Sequence, residues 1–168
     1  MECLKGRSMS ELEQFADTLR RSFEGDSWQG DSLSDLLRGL TAQQARMRPL
    51  QNVHSIWELV LHIIAWHGVV LQRIAGEAVM PEGEANFPEP GATDAEWNET
   101  LERLRKSTVQ LADTIRRFDP NRLDDRVPGK EYAYRHMLCG VATHNAYHAG
   151  QIALLKKALS AHRAPTSL

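Results

Sequence analysis

Apolar residues recur along most of this chain at three- and four-residue steps, the period of helices with one face turned inward. Leu12, Phe15, Ala16, Leu19 and Phe23 mark a first helix over Glu11 to Glu24, ended by Gly25-Asp26-Ser27. Ser32 or Ser34 can cap a short helix through Leu33, Leu36 and Leu37, and Thr41 can cap another short turn before Pro49. A second long helix begins at Ser55, where Ser55-Ile56-Trp57-Glu58 has capping-box spacing, and continues to about Ala75, with Gly76 as its stop. Thr93 or Asp94 caps a third, striped by Trp97, Leu101, Leu104, Thr108, Leu111 and Ile115 and running to about Phe118. The last runs from Tyr132 or Tyr134 to Leu159, with Met137, Val141, His144, His148, Ile152 and Leu155 on one side. Alternating, strand-like patterns are nearly absent, so the pattern predicts an all-α fold of four long helices with short extra turns.

Between the second and third helices, Glu77 to Thr93 carries Pro81, Gly83, Pro88, Pro90 and Gly91 and little periodicity. A loop of that length in a compact domain is often a lid or a binding segment. The longest apolar stretch, Ile56 to Ile74, is interrupted by Glu58, His62, His67 and Gln72, which makes it a buried helix and not a membrane span. Met1 to Gln14 is polar and lacks the apolar run of a signal peptide. The expected organisation is an N-terminal extension over 1–9, one domain over 10–162 and a tail over 163–168.

Composition narrows the partners. The 20 basic and 22 acidic residues are intermixed and leave a net charge of −2, with no basic run or stripe, so nucleic acid is not expected. Cys3 and Cys139 suit a reducing cytoplasm better than a disulfide framework. The expected partner is a small-molecule substrate, with no membrane and no nucleic acid.

The candidate chemistry lies in the histidines. His144 and His148 are four residues apart on the core-facing side of the last helix, where side chains share a face. His62 stands in the middle of the most apolar helix. A core-facing imidazole loses its hydration, so each ring nitrogen needs a partner. Three of them from two helices can converge on one ion and leave part of its coordination shell open, as in catalytic sites. Glu58, one turn before His62, is either a general base or outer ligand near the ion, or simply the capping partner of Ser55. Gln151, three residues after His148, either lines a cofactor pocket or packs between helices. Tyr147, Trp57, Trp66, Trp97 and Cys139 read as packing or core residues. His54 belongs at a helix entrance, and His67, His136 and His162 read as surface or partly buried.

Two segments carry a family resemblance: Asn52-Val53-His54-Ser55-Ile56-Trp57-Glu58-Leu59-Val60-Leu61-His62-Ile63 and His144-Asn145-Ala146-Tyr147-His148-Ala149-Gly150-Gln151-Ile152. Together with Gly25-Asp26-Ser27-Trp28 and the order of helices, they resemble the DinB/YfiT-like metalloprotein superfamily. The resemblance implies a four-helix bundle of up-down-down-up topology with a long link between helices 2 and 3, and it implies His62, His144 and His148 as metal ligands. Members are often homodimers, and they include thiol-dependent transferases and an isomerase.

The function expected is therefore a metal-dependent enzyme activating a low-molecular-weight thiol, of S-transferase type. Zinc or nickel is the foremost divalent ion, with iron or copper as alternatives. A metal-dependent hydrolase or isomerase, and a non-catalytic metal- or ligand-binding bundle, are the competing readings.

Overall fold

A computed structural model describes residues 9–161. It contains six α-helices: α1 (Glu11–Phe23), α2 (Leu33–Leu37), α3 (Ala42–Arg46), α4 (Ile56–Ile74), α5 (Asp94–Arg116) and α6 (Tyr134–Ala161). There is no strand among the described residues, only an isolated bridge between Arg126 and Ala133. The expected extension before Met9, Cys3, His162 and the 163–168 tail lie outside the described residues. No helix among those described is long and apolar enough to cross a membrane.

Side-chain chemistry sets the helix starts. Ser55 and Glu58 form the expected capping box at α4: the Ser55 hydroxyl accepts from the Glu58 amide, and the Glu58 carboxylate accepts from the Ser55 amide. Thr93 with Glu96 does the same for α5, and Thr41 with Gln44 for α3. Ser32, not Ser34, caps α2. A further box, Ser10 with Glu13, opens α1. Gly76, one residue past the α4 cap, takes φ 99°, a left-handed conformation that glycine adopts without strain.

α1 packs against α5 and α6, and α4 packs against the same two helices. The buried apolar residues separate into two clusters. One gathers the start of α4, Trp97 and Leu104 of α5, the end of α6 and the short helices α2 and α3. The other gathers α1, Leu111 to Ile115 of α5 and the start of α6. Each long helix crosses from one cluster to the other, and buried or half-buried polar residues fall near the crossings: Ser22, His62, His67, Ser107, Thr108, His144, Asn145 and His148.

His67, read as surface or partly buried, is wholly buried in this layer. Its Nδ1 lies 2.9 Å from Ser107 Oγ and its Nε2 3.2 Å from Asn145 Oδ1. Asn145 Nδ2 then donates to Ser22 Oγ, whose hydroxyl donates to the Leu19 carbonyl. With Asn145 Nδ2 turned to Ser22, Asn145 Oδ1 accepts, so a neutral His67 carries its proton on Nε2; its Nδ1 then shares the Ser107 hydroxyl proton with the Leu104 carbonyl, 3.0 Å from Ser107 Oγ. Burial drives its pKa down to about 4, against a smaller opposing effect of Asn145.

Candidate metal centre

α4 carries His62 into the polar layer, and α6 brings His144 and His148 to meet it. His144 Nε2 lies 3.2 Å from His62 Nε2 and 3.1 Å from His148 Nε2. The three are the group of potential ligand residues that converges among the described residues. The edge of a tetrahedron whose centre is ~2.0–2.1 Å from each nitrogen is about 3.3–3.4 Å. The two observed separations lie just inside that length.

Hydrogen bonds on the far side of the rings orient two of them. His62 Nδ1 stands 2.9 Å from the Asn86 carbonyl, which can only accept, so the His62 proton is on Nδ1 and its Nε2 presents a lone pair. His148 Nδ1 stands 2.7 Å from Gln151 Oε1, which places its proton the same way. His144 Nδ1 is buried with no hydrogen-bond partner among the described residues. A single proton on His144 Nε2 cannot point along both contacts, so one pair of lone pairs is left opposed. A cation accepting three lone pairs removes that conflict, and the donor set therefore fits a metal ion.

Protonation offers no other remedy. Burial lowers the pKa of all three imidazoles. For His144 the charges that His148, His62 and His67 would carry add to burial and bring it to about 3. The Asn86 carbonyl acts in the opposite direction on His62, and Gln151 on His148, without overcoming burial. The rings are neutral at physiological pH, the state that binds metals.

Glu58, the candidate general base, is not part of the cluster. Its carboxylate accepts from the Ser55 amide at 2.7 Å, from Arg48 Nε at 3.1 Å and from Arg48 Nη2, with His54 Nδ1 at 3.4 Å. Burial raises its pKa, but these partners outweigh burial and hold it at about 2. Gln151 serves neither of its expected roles alone: it lines a cavity and also aims His148.

The 77–93 loop folds onto the centre. Besides the Asn86 carbonyl on His62, Asn86 Oδ1 accepts from Trp66 Nε1 at 3.0 Å. The Phe87 ring is stacked between His54 and His62, with centroids 3.8 Å and 4.2 Å away. Three sequence readings are corrected here. Trp66 is half-buried at the edge of the site, 5.5 Å from the His144 ring, while Trp57 and Trp97 are core as expected. Tyr147 is 65% exposed, its ring 5.0 Å from His148. Cys139 falls off the α6 stripe and is exposed. His54 stands just before the Ser55 cap of α4, at the helix entrance as read, and is exposed; His136 is exposed, within its reading as surface or partly buried.

A cavity of about 390 Å³ borders His148 and Gln151, walled by Leu50, Val53, His54, Leu59, Phe87, Tyr147 and Leu154. A smaller one, about 180 Å³, borders His144 between α4 and α6. The site is thus a cluster of three neutral donors, His62 and His148 buried and His144 half-buried, within an all-helical protein and flanked by two cavities.

A family model described as the DinB superfamily matches residues 27–152. The chain belongs to the DinB superfamily. No curated protein and no solved structure matched it.

Sequence reasoning passed over Asn86, Phe87 and Asn145. Asn145 sits one residue from His144 within a motif already quoted, and the i, i+3 spacing of His148 and Gln151 was visible. Nothing in the loop's composition marks Asn86 or Phe87.

Proposed function

We propose that this protein is a metal-dependent enzyme in which His62, His144 and His148 would hold one divalent ion, and in which a small thiol, its proton released to solvent, would form a bond from sulfur to the carbon of an electrophile whose leaving group departs with the electron pair of the bond broken. The observation that carries this reading is the convergence of three neutral Nε2 atoms with no carboxylate among them. An ion held only by imidazoles keeps its full charge, enough to bring a thiol from about 8.5 to a pKa at which it is a nucleophile at neutral pH.

The chain's own residues supply position and exclusion. Asn86 and Gln151 fix the tautomers of His62 and His148, so lone pairs point inward whatever the surrounding solvent does. Phe87 shields one face of His62. The larger cavity is mostly apolar and charge-free, suited to the carbon body of an electrophile beside His148. Glu58 takes no part, because a carboxylate with a pKa near 2 and four hydrogen-bonding contacts is a poor base. That weighs against the hydrolase or isomerase reading in the form that used Glu58.

The same proposal takes the four long helices as a four-helix bundle of up-down-down-up order, its long link the 77–93 loop. It also expects a cytoplasmic homodimer, for which light scattering on the purified chain is the measurement. The functional test is consumption of a low-molecular-weight thiol by the metal-loaded chain against a panel of electrophiles. The expected result is turnover that is lost in His148→Ala. No consumption across the panel with one ion bound per chain would reject the transferase.

A further inference from the structure

Arg73, near the end of α4, is 1% exposed yet makes no ion pair among the described residues. Its partners are neutral. Nε and Nη2 donate to the Val79 carbonyl at 3.2 and 2.8 Å, Nη1 donates to the Tyr132 hydroxyl at 3.0 Å, and Met80 Sδ lies 3.6 Å from Nη2. The guanidinium sits 5.6 Å from the Trp66 ring centroid. Burying a full charge without a counter-charge is unfavourable, and neutral acceptors with one aromatic face offset it only in part. Arg73, Tyr132 and His144 all border the 180 Å³ cavity.

Tyr132 gives that charge a direction. Its oxygen accepts from Arg73, which leaves its own O–H proton without an acceptor among the hydrogen bonds of the described residues. A phenol that accepts from a guanidinium is a polarised donor, and it suits an anion better than water. The remaining walls are Trp66, Val70, Met137, Gly140 and Val141, which are apolar, and His136, whose ring lies 5.2 Å from that of Tyr132.

We propose that this cavity is a binding site for a short-chain carboxylate, its anionic end on Tyr132 and Arg73 and its carbon chain against Trp66 and Val70, toward His144. The inference requires neither a bound metal nor the thiol reaction. The volume admits a compact acid of a few carbons and no nucleotide or lipid.

The test is a titration of isotope-labelled full-length protein with butyrate, and in parallel with butyramide, followed by NMR at the Arg73 Nε–H and Trp66 indole signals. Saturable butyrate shifts that weaken with added salt, are absent with butyramide, and need about tenfold more butyrate in Tyr132→Phe are the expected result. Arg73→Lys, which keeps the charge, should bind more weakly than wild type but more tightly than Arg73→Gln. Equal response to the two probes, or none at these signals, overturns the site. Disappearance of the shifts in His148→Ala also overturns it, because the anion would then be on the metal centre. Failure of the thiol assay with butyrate binding intact would remove the proposed reaction and leave this site standing.

Discussion

Gln151 and Asn86 act on the centre from behind the rings. Each accepts a hydrogen bond from the Nδ1–H of one imidazole, and so decides which nitrogen faces inward. Gln151→Leu, close in size but without an acceptor, should weaken metal affinity by about 10–100-fold with the three histidines in place. Competition against a chromogenic chelator measures it, and unchanged affinity would remove Gln151 from the account. Glu58 makes the opposite prediction. Its carboxylate is occupied by the α4 cap and by Arg48, so Glu58→Gln should cost about 1–3 kcal/mol of stability while the metal-loaded protein keeps its turnover. Denaturant melts beside a rate assay separate the two effects. At this scale the sequence was informative where spacing carries meaning. The positions of His62, His144 and His148 on helix faces, and the Ser55–Glu58 box, were readable because periodicity and capping are local. It did not show that Glu58 is claimed by Arg48, ten residues earlier, because that contact needs the chain to turn back between α3 and α4.

α4 and α6 were legible as elements because their apolar stripes and caps are continuous. The loop between α4 and α5 was legible only as a loop. Its prolines and glycines predict irregular backbone, but Asn86 and Phe87 acquire their roles from tertiary contact with His62. The same limit explains His67. Five residues after His62 it looked like a polar interruption, and its burial depends on Ser107 of α5 and Asn145 of α6. This network carries a pH signature. Unfolded histidine titrates near 6.5 and folded His67 near 4, so between those values the unfolded chain binds the extra proton. Stability should therefore be full above about pH 6.5 and fall as the pH drops toward 4, by roughly 3 kcal/mol from this group alone. The three clustered imidazoles, whose pKa values are also lowered, add to the loss in the same direction. Urea melts of metal-free wild type and His67→Gln across that range check this. An equally steep acid dependence in the variant would mean that His67 contributes none of it.

The whole molecule divides its apolar interior into two clusters and sets polar side chains between them. Four long helices with short capped turns between them can be anticipated from periodicity and capping, but this division is set by which faces meet, so it appears only in three dimensions. Arg73 belongs to the same class, since its burial is a product of packing among α4, the 77–93 loop and the segment before α6. The family match over residues 27–152 takes in α2 to α5, most of α6 and all three histidines, and leaves out α1. Chemistry at the centre depends on one claim, that a single ion sits among three Nε2 atoms supplied by α4 and α6. Metal stoichiometry of the full-length protein, by mass spectrometry of its elements, tests that claim most directly when wild type and His148→Ala are purified side by side. The account predicts close to one divalent ion per wild-type chain and a large loss in the variant, with helical content unchanged by circular dichroism. Equal metal in both proteins, or none in wild type after exposure to zinc and nickel at neutral pH, would contradict it.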